Sequence, residues 1–402
     1  MTTSHASWLS DETQAFLRRP HRLLIGGEWV AAHGGESIDV LNPADATSIA
    51  EVPAANAKDI DQAVAAARAA FERGEWPALP PSDRAQRIFK LADLVEAHGK
   101  VLTELETLDN GMPMKTAGAL AVPWAVKVLR YYAGWATKIA GQTIPHDRPR
   151  VPGSDGFTYT RREPVGVVGQ IIPWNYPLAM AVMKLGPALA TGCTVILKPA
   201  ELTPLSALYL GQLISEAEIP SGVVNIVPGY GETAGAAITA HPGLDKIAFT
   251  GSTDTGKQII AASAGNLKRV SLELGGKSPF IVFPDAHIEA AGQAAARFAF
   301  FLQGQNCMCA SRVFVHESVR DRVIAIMRQA VDAMPMGPGW QPETVLGPMI
   351  SADQRDRARS FVDEARGGDA EIVHGGNVPD GPGFFLAPAI AIDPKPGSRL
   401  LR

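Results

Sequence analysis

A chain of 402 residues, 46% hydrophobic and 19% charged, is too long for one small core, so two or more domains are expected. Its 37 basic and 41 acidic residues nearly balance, which gives no support for nucleic acid or an anionic membrane as a partner. Three cysteines, two of them separated by one residue, make no disulfide framework, and the N-terminus lacks a secretory signal, so a reducing, cytoplasmic setting is expected.

In chain order, residues 1–20 read as a loosely held polar arm. Residues 23–30 read as two short strands around Gly26-Gly27, and Asn42-Pro43 marks the next turn. Apolar residues then recur at helical spacing over 59–71 with Asp59 as cap, over 82–98 with Ser82 as cap, and again over 102–108 and 122–139. The Pro- and Gly-rich stretch 141–162, containing Phe157-Thr158-Tyr159-Thr160, reads as an extended hairpin leaving the globule.

From Gly166 the pattern becomes strand, helix, strand. Near-continuous apolar runs at 167–172, 194–198, 223–227, 246–249 and 270–274 predict strands of a parallel sheet covered on both faces. Helices are expected to begin near Leu178, Pro204, Thr233 and Asp254. The apolar stretch 178–197 carries Lys184, Gly186, Pro187 and Gly192, which suits a buried helix, turn and strand better than a membrane span. A second alternating unit follows Gly275-Gly276, with strands at 279–283, 312–316, 371–373 and 385–392 and helices at 288–302, 318–333 and 351–365. The expected class is α/β, with two parallel-sheet domains and a protruding β-hairpin arm.

Two stretches carry chemistry. Gly304-Gln305-Asn306-Cys307-Met308-Cys309 offers a thiol in a glycine-opened turn after an apolar helix. Leu272-Glu273-Leu274-Gly275-Gly276-Lys277 offers one carboxylate at a strand end. A thiol and a separate carboxylate suit a two-step reaction, in which Cys attacks an electrophilic carbon and Glu activates the water that releases the product.

Other motifs add to these. Pro173-Trp174-Asn175-Tyr176-Pro177 is a loop stiffened by two prolines, where the Asn175 amide could donate to an oxyanion or satisfy the loop backbone. Lys198-Pro199-Ala200-Glu201 closes a strand and could hydrogen-bond ribose hydroxyls or form a solvated ion pair. The stretch 249–257 reads G-x-x-x-x-G-K, but Gln258 stands where a P-loop needs Ser or Thr, so a nucleotide hydrolase is disfavoured. Its strand-turn-helix form still suits a phosphate at the helix N-terminus. Gly229 to Gly235 is one residue too long for the G-x-G-x-x-G fingerprint. Lys184 reads as a snorkelling lysine, Cys193 as buried and inert, and Cys309 as structural. Neither H-E-x-x-H nor C-x-x-C nor G-x-S-x-G occurs, so no metal site is expected.

Taken in this order and these contexts, Asn175, Lys198, Glu201, Gly251-Ser252, Glu273 and Cys307 resemble the aldehyde dehydrogenase superfamily, from about Leu23 to the last residue. The resemblance implies a Rossmann-like NAD-binding domain over 21–140 and 163–274 and a catalytic domain over 275–402. It also implies that the hairpin 141–162 reaches a neighbouring subunit of a homo-oligomer. It implies Cys307 as nucleophile, Glu273 as base, Asn175 as oxyanion donor and Lys184 as proton relay. Ile172, Pro173, Trp174, Lys198, Glu201, Gly231, Gly235, Gly251, Ser252, Gly256 and Gly275 would then serve the cofactor. Glu201 would repel a 2′-phosphate, which favours NAD over NADP, and Glu273 argues against the coenzyme-A-acylating branch. Family members continue beyond the point matching Arg402. A shortened member with nucleophile and base intact, but with weaker cofactor grip and assembly, is therefore expected. A silent assembly partner is the alternative.

Overall fold

The computed structural model of the chain describes residues 7–145 and 157–401. Part of the stretch expected to be a loose arm is a docked helix, α1 (Asp11–Arg18). Ser10 Oγ caps it by accepting from Thr13 N, the Ser10 backbone N–H donates to Glu104 at 3.0 Å, and Phe16 and Leu17 are buried. Two turns are too short for their periodicity to register in the sequence.

Strands β1 (Leu23–Ile25) and β2 (Glu28–Val30) pair across Gly26 and Gly27, both at positive φ. A ribbon of β3 (Ser37–Asn42) and β4 (Thr47–Pro53) follows. Helix α2 (Ala57–Glu72) is capped by Asn56, not by Asp59. Asp59 supplies the other half of a capping box, accepting from Asn56 N at 2.9 Å. Helix α3 (Pro81–Ala97) starts at Pro81, whose missing N–H costs nothing at a first helical position, and Ser82 lies inside the first turn. Next come α4 (Gly99–Asn110), α5 (Met114–Thr116), a π-helical turn at Ala117–Ala121, and α6 (Val122–Trp135), which stops short of Ile139. Of the expected hairpin, 146–156 fall outside the described residues; its flanks pair antiparallel at Thr143 and Tyr159.

The alternating part runs β5 (Val167–Ile171), α7 (Pro177–Ala190), β6 (Thr194–Lys198), α8 (Leu205–Glu216) and β7 (Val224–Ile226). A π-helical turn at Gly231–Gly235 then leads into α9 (Ala236–Ala240), β8 (Lys246–Gly251), α10 (Thr253–Ser263) and β9 (Arg269–Leu274). Among the described residues these strands form a sheet ordered β2-β1-β7-β6-β5-β8-β9, parallel from β7 to β9. Every residue of β5, β6 and β7 is buried because both faces are covered. Val168, Val195 and Leu197 pack with α3, α4, α6, α7 and α8, while Val167, Ile196 and Ile247 pack with α2 and α9. A fully buried leucine in such a layer contributes roughly 2 kcal/mol.

The chain lays down β5 first, moves outward to β6 and β7, and returns to the other side of β5 with β8 and β9. The strand order therefore reverses between β5 and β8, where an open parallel sheet has its ligand crevice. Register brings the carboxyl ends level: Ile171 lies opposite both Lys198 and Phe249, and Thr250 lies opposite Glu273.

After β9 a separate sheet begins with β10 (Pro279–Val282), followed by α11 (Ile288–Phe300), β11 (Arg312–Val315), α12 (Arg320–Asp332) and α13 (Ala352–Glu364). β10 and β11 pair parallel, whereas β12 (Glu371–Gly375) and β13 (Ala389–Ile392) pair antiparallel. The strand expected from 385 starts only at Ala389, because Pro388 has no N–H to extend a ladder.

Helix α4 organises the helical layer in a way the sequence conceals. Its buried carboxylates meet the starts of three other helices: Glu104 accepts from Ser10 N, Glu106 from Leu178 N at 3.0 Å, and Asp109 from Leu205 N at 3.0 Å. Each satisfies an N–H that the helix start leaves without a partner, at the positive end of that helix.

Candidate active site

Cys307 follows α11 through a short turn at Phe301–Gly304. Leu302, Gln303 and Gly304 all have positive φ, a costly conformation for the first two. The buried Leu302 side chain, packed with Met112, Ala117 and Ala121, helps hold the turn there. The chain then exposes Cys307, whose Sγ lies 3.7 Å from Asn306 Oδ1, while Cys309 is buried with its thiol pushed up by burial.

Asn175 meets this loop from β5. Its Nδ2 donates to the Gln305 carbonyl at 2.9 Å, and Gln305 Oε1 accepts from Ile350 N at 2.9 Å. One amide hydrogen of Asn175 is thereby fixed, and the second remains for another acceptor. Tyr176, next in sequence, is raised well above the usual phenol range by burial and by the nearby Cys309 and Cys307 thiols. The turn after Glu273 also reaches the nucleophile loop: a Cβ added at Gly276 would lie 3.9 Å from the Cys307 carbonyl oxygen. Lys184 on α7 is pushed down to about 8 by burial, against an opposing pull from Glu273 and with a further push from Lys246.

At the neighbouring strand end, the Lys198 side chain is only 2% exposed, and burial lowers its pKa against the pull of Glu201. Its Nζ donates to Pro199 O at 2.8 Å, Gly229 O at 2.5 Å and Glu201 Oε2 at 3.3 Å. All three donors are used, tying the loop after β6 to that after β7. Gly235 faces the Lys198 stem, and Gly231 and Gly275 are open to an approaching group. Ser252 caps α10 through Thr255 N, so its hydroxyl serves the helix while the first N–H groups lack intrahelical partners. Gly251 packs on the Phe249 ring. Gly256 lies inside α10, where an added Cβ would meet the Leu274 side chain at 2.8 Å and have to displace it. The Ile172 side chain is buried in the core, leaving only its backbone to the crevice. Pro173 and Trp174 stand half-buried at the mouth. No group of three His, Cys, Asp or Glu side chains able to hold a metal occurs among the described residues.

The structure thus gathers the Cys307 loop, Asn175 and the turn after Glu273 at one end of the sheet, with Lys198, Glu201 and the start of α10 beside them. Sequence reasoning did not single out Gln305 or Asn110, whose amide donates to Trp174 O at 2.7 Å. Neither lies in a pattern that points to it.

An exposed thiol, an amide donor and a crevice at the strand ends lie together here, and comparison with known proteins identifies the family. The model of the aldehyde dehydrogenase family matches residues 29–402. The chain is 47% identical over 371 residues to retinal dehydrogenase 2 of Mus musculus, spanning 92% of this chain and 70% of that protein. It is 44% identical over 375 residues to phenylacetaldehyde dehydrogenase of Pseudomonas fluorescens, spanning 93% and 75%. The NAD+ complex of aldehyde dehydrogenase from Bacillus cereus superposes with a TM-score of 0.95 at 45% identity, over 98% of this chain and 79% of that one. The chain belongs to the aldehyde dehydrogenase family and is an oxidoreductase of the aldehyde group.

Proposed function

We propose that this chain oxidises an aldehyde to its carboxylic acid through Cys307, with NAD as hydride acceptor. The reading is carried by one observation: the Asn175 amide is bonded to the Gln305 carbonyl at 2.9 Å, beside the nucleophile. The Cys307 thiolate adds to the aldehyde carbon, and the resulting oxyanion accepts from the second Asn175 N–H and the Cys307 backbone N–H. Bound NAD supplies the acceptor for the hydride that this carbon loses, leaving a thioester on Cys307. Glu273 takes a proton from water, the hydroxide adds to the thioester carbon, and collapse of the adduct returns the thiolate and frees the acid. Lys184, whose ammonium feels the Glu273 charge, takes that proton onward.

The residues present fit the dinucleotide. The first N–H groups of α10 suit its pyrophosphate, and Lys198 with Glu201 suits ribose hydroxyls. The Glu201 carboxylate disfavours a 2′-phosphate, hence NAD over NADP. The half-buried Tyr176 and Phe301 near the thiol loop favour an aromatic or aliphatic aldehyde.

The test is NADH formation by the purified chain with a panel of such aldehydes, alongside Cys307→Ala. Turnover in the native chain and none in the variant is expected. Equal turnover in the variant would remove Cys307 from the reaction, and no NADH from folded native chain would overturn the oxidation itself.

A further inference from the structure

We propose that Asn110 is a positioning residue that aims the Asn175 amide at the reacting oxygen; this rests on the oxyanion role given to Asn175 above. The loop between β5 and α7 is held at both ends. Ile172 N donates to Lys198 O at 3.1 Å at its start, and Leu178 N donates to Glu106 Oε1 at 3.0 Å just after it. Between them the loop backbone has one side-chain tether from α4: Asn110 Nδ2 donates to Trp174 O at 2.7 Å, with Asn175 O further off at 3.5 Å.

Asn110 is 4% exposed, and Glu106 and Asn110 lie four residues apart, on one face of the same helix. Gly111, at φ 77°, ends that helix and is packed against Pro348 and Pro43, so the tether springs from a fixed point. The Trp174 carbonyl belongs to the peptide unit that leads into Asn175. Fixing this oxygen fixes the plane of that peptide, and with it the direction in which the Asn175 side chain leaves the backbone. The Gln305 carbonyl then sets the amide's rotation. Without Asn110 the peptide can turn, and the donor shifts relative to Cys307 while all reacting groups stay present.

A double-mutant cycle tests this. Asn110→Ala should lower kcat roughly ten- to a hundred-fold, as misplacement of a reacting group does, with the KM for NAD little changed. In an Asn175→Ala background the same change should cost less than about two-fold, because the group being aimed is gone. Asn110→Ser, a shorter donor, should recover part of the loss and serves if the alanine variant does not fold. Equal losses in both backgrounds would mark Asn110 as merely structural and overturn the inference. Native turnover insensitive to Asn175→Ala would instead sink the oxyanion reading. If the native chain gives no turnover, amide hydrogen exchange over 174–176 decides: faster exchange in the Asn110 variant supports the tether, and unchanged exchange overturns it.

Discussion

At the scale of single residues, the site depends on groups whose neighbours change what they can do. Lys184 is an ordinary lysine by type, yet burial holds it near 8 while Glu273 pulls the other way. Its ammonium is therefore mostly charged below that pH and mostly neutral above it. If it accepts the proton that Glu273 takes from water, the hydrolytic rate rises with pH through about 8, and Lys184→Met should flatten that limb. Single-turnover measurement of acid release against pH checks this; an unchanged limb in the variant would exclude the relay. Lys198 shows the reverse case, since its three donors are already used by Pro199, Gly229 and Glu201. A ribose hydroxyl must enter beside that network or replace its longest bond, the one to Glu201.

At the scale of elements, α4 is the hub. It sends Glu104, Glu106 and Asp109 to the N-termini of α1, α7 and α8, and Asn110 to the loop before α7. Burying the acids has a cost: Glu106 is raised to about 7 by desolvation, against hydrogen bonds that lower it, and Asp109 is raised by burial and by Glu106. The sign follows from linkage. The unfolded chain ionises Glu106 near its ordinary 4.5, whereas the folded chain resists ionisation up to about 7. The favourable contribution of the neutral form is therefore complete below about 4.5 and is lost as pH rises to about 7, by about 3 kcal/mol. Glu106→Gln keeps an acceptor for Leu178 N and removes the titration. Urea midpoints at about pH 5 and about pH 8 should differ less in this variant than in the native chain. An equal difference would show that Glu106 is not the group responsible.

At the scale of the whole molecule, the nucleophile loop depends on contact between the two parts of the chain. The loop holding Gly339, Gly347 and Ile350 sits against the end of α4: Met114 N donates to Gly339 O at 2.8 Å, and Ile350 N holds the Gln305 side chain. A Cβ at Gly347 would lie 2.2 Å from Gly111 O, a backbone atom that cannot swing aside. Gly347→Ala should therefore push this loop off α4 and lower stability by about 1–3 kcal/mol. Because Gln305 is gripped by the same loop, aldehyde turnover should fall as well. Denaturant unfolding and NADH formation measured on the same preparation check both; an unchanged midpoint would mean that the loop yields freely.

Much of the molecule was legible from the chain alone, for a physical reason: periodicity, caps and side-chain chemistry are local. The five parallel strands, the loop of Asn175, the strand-end Lys198 and Glu273, and the glycine-opened turn of Cys307 each declare themselves within a few residues. Short or conditional elements did not. Helix α1 has only two turns, and the cap of α2 falls on Asn56 rather than on Asp59. What the tertiary structure alone decided are contacts between distant residues. Asn175 and Gln305 are separated by 130 positions, Glu106 and Leu178 by 72, and Asn110 and Trp174 by 64. The residue types at these positions carry no mark of their partners. Only the reversal of strand order at β5, and the packing of α4 beneath the loop that follows it, bring a thiol, an amide and a carboxylate to one end of one sheet.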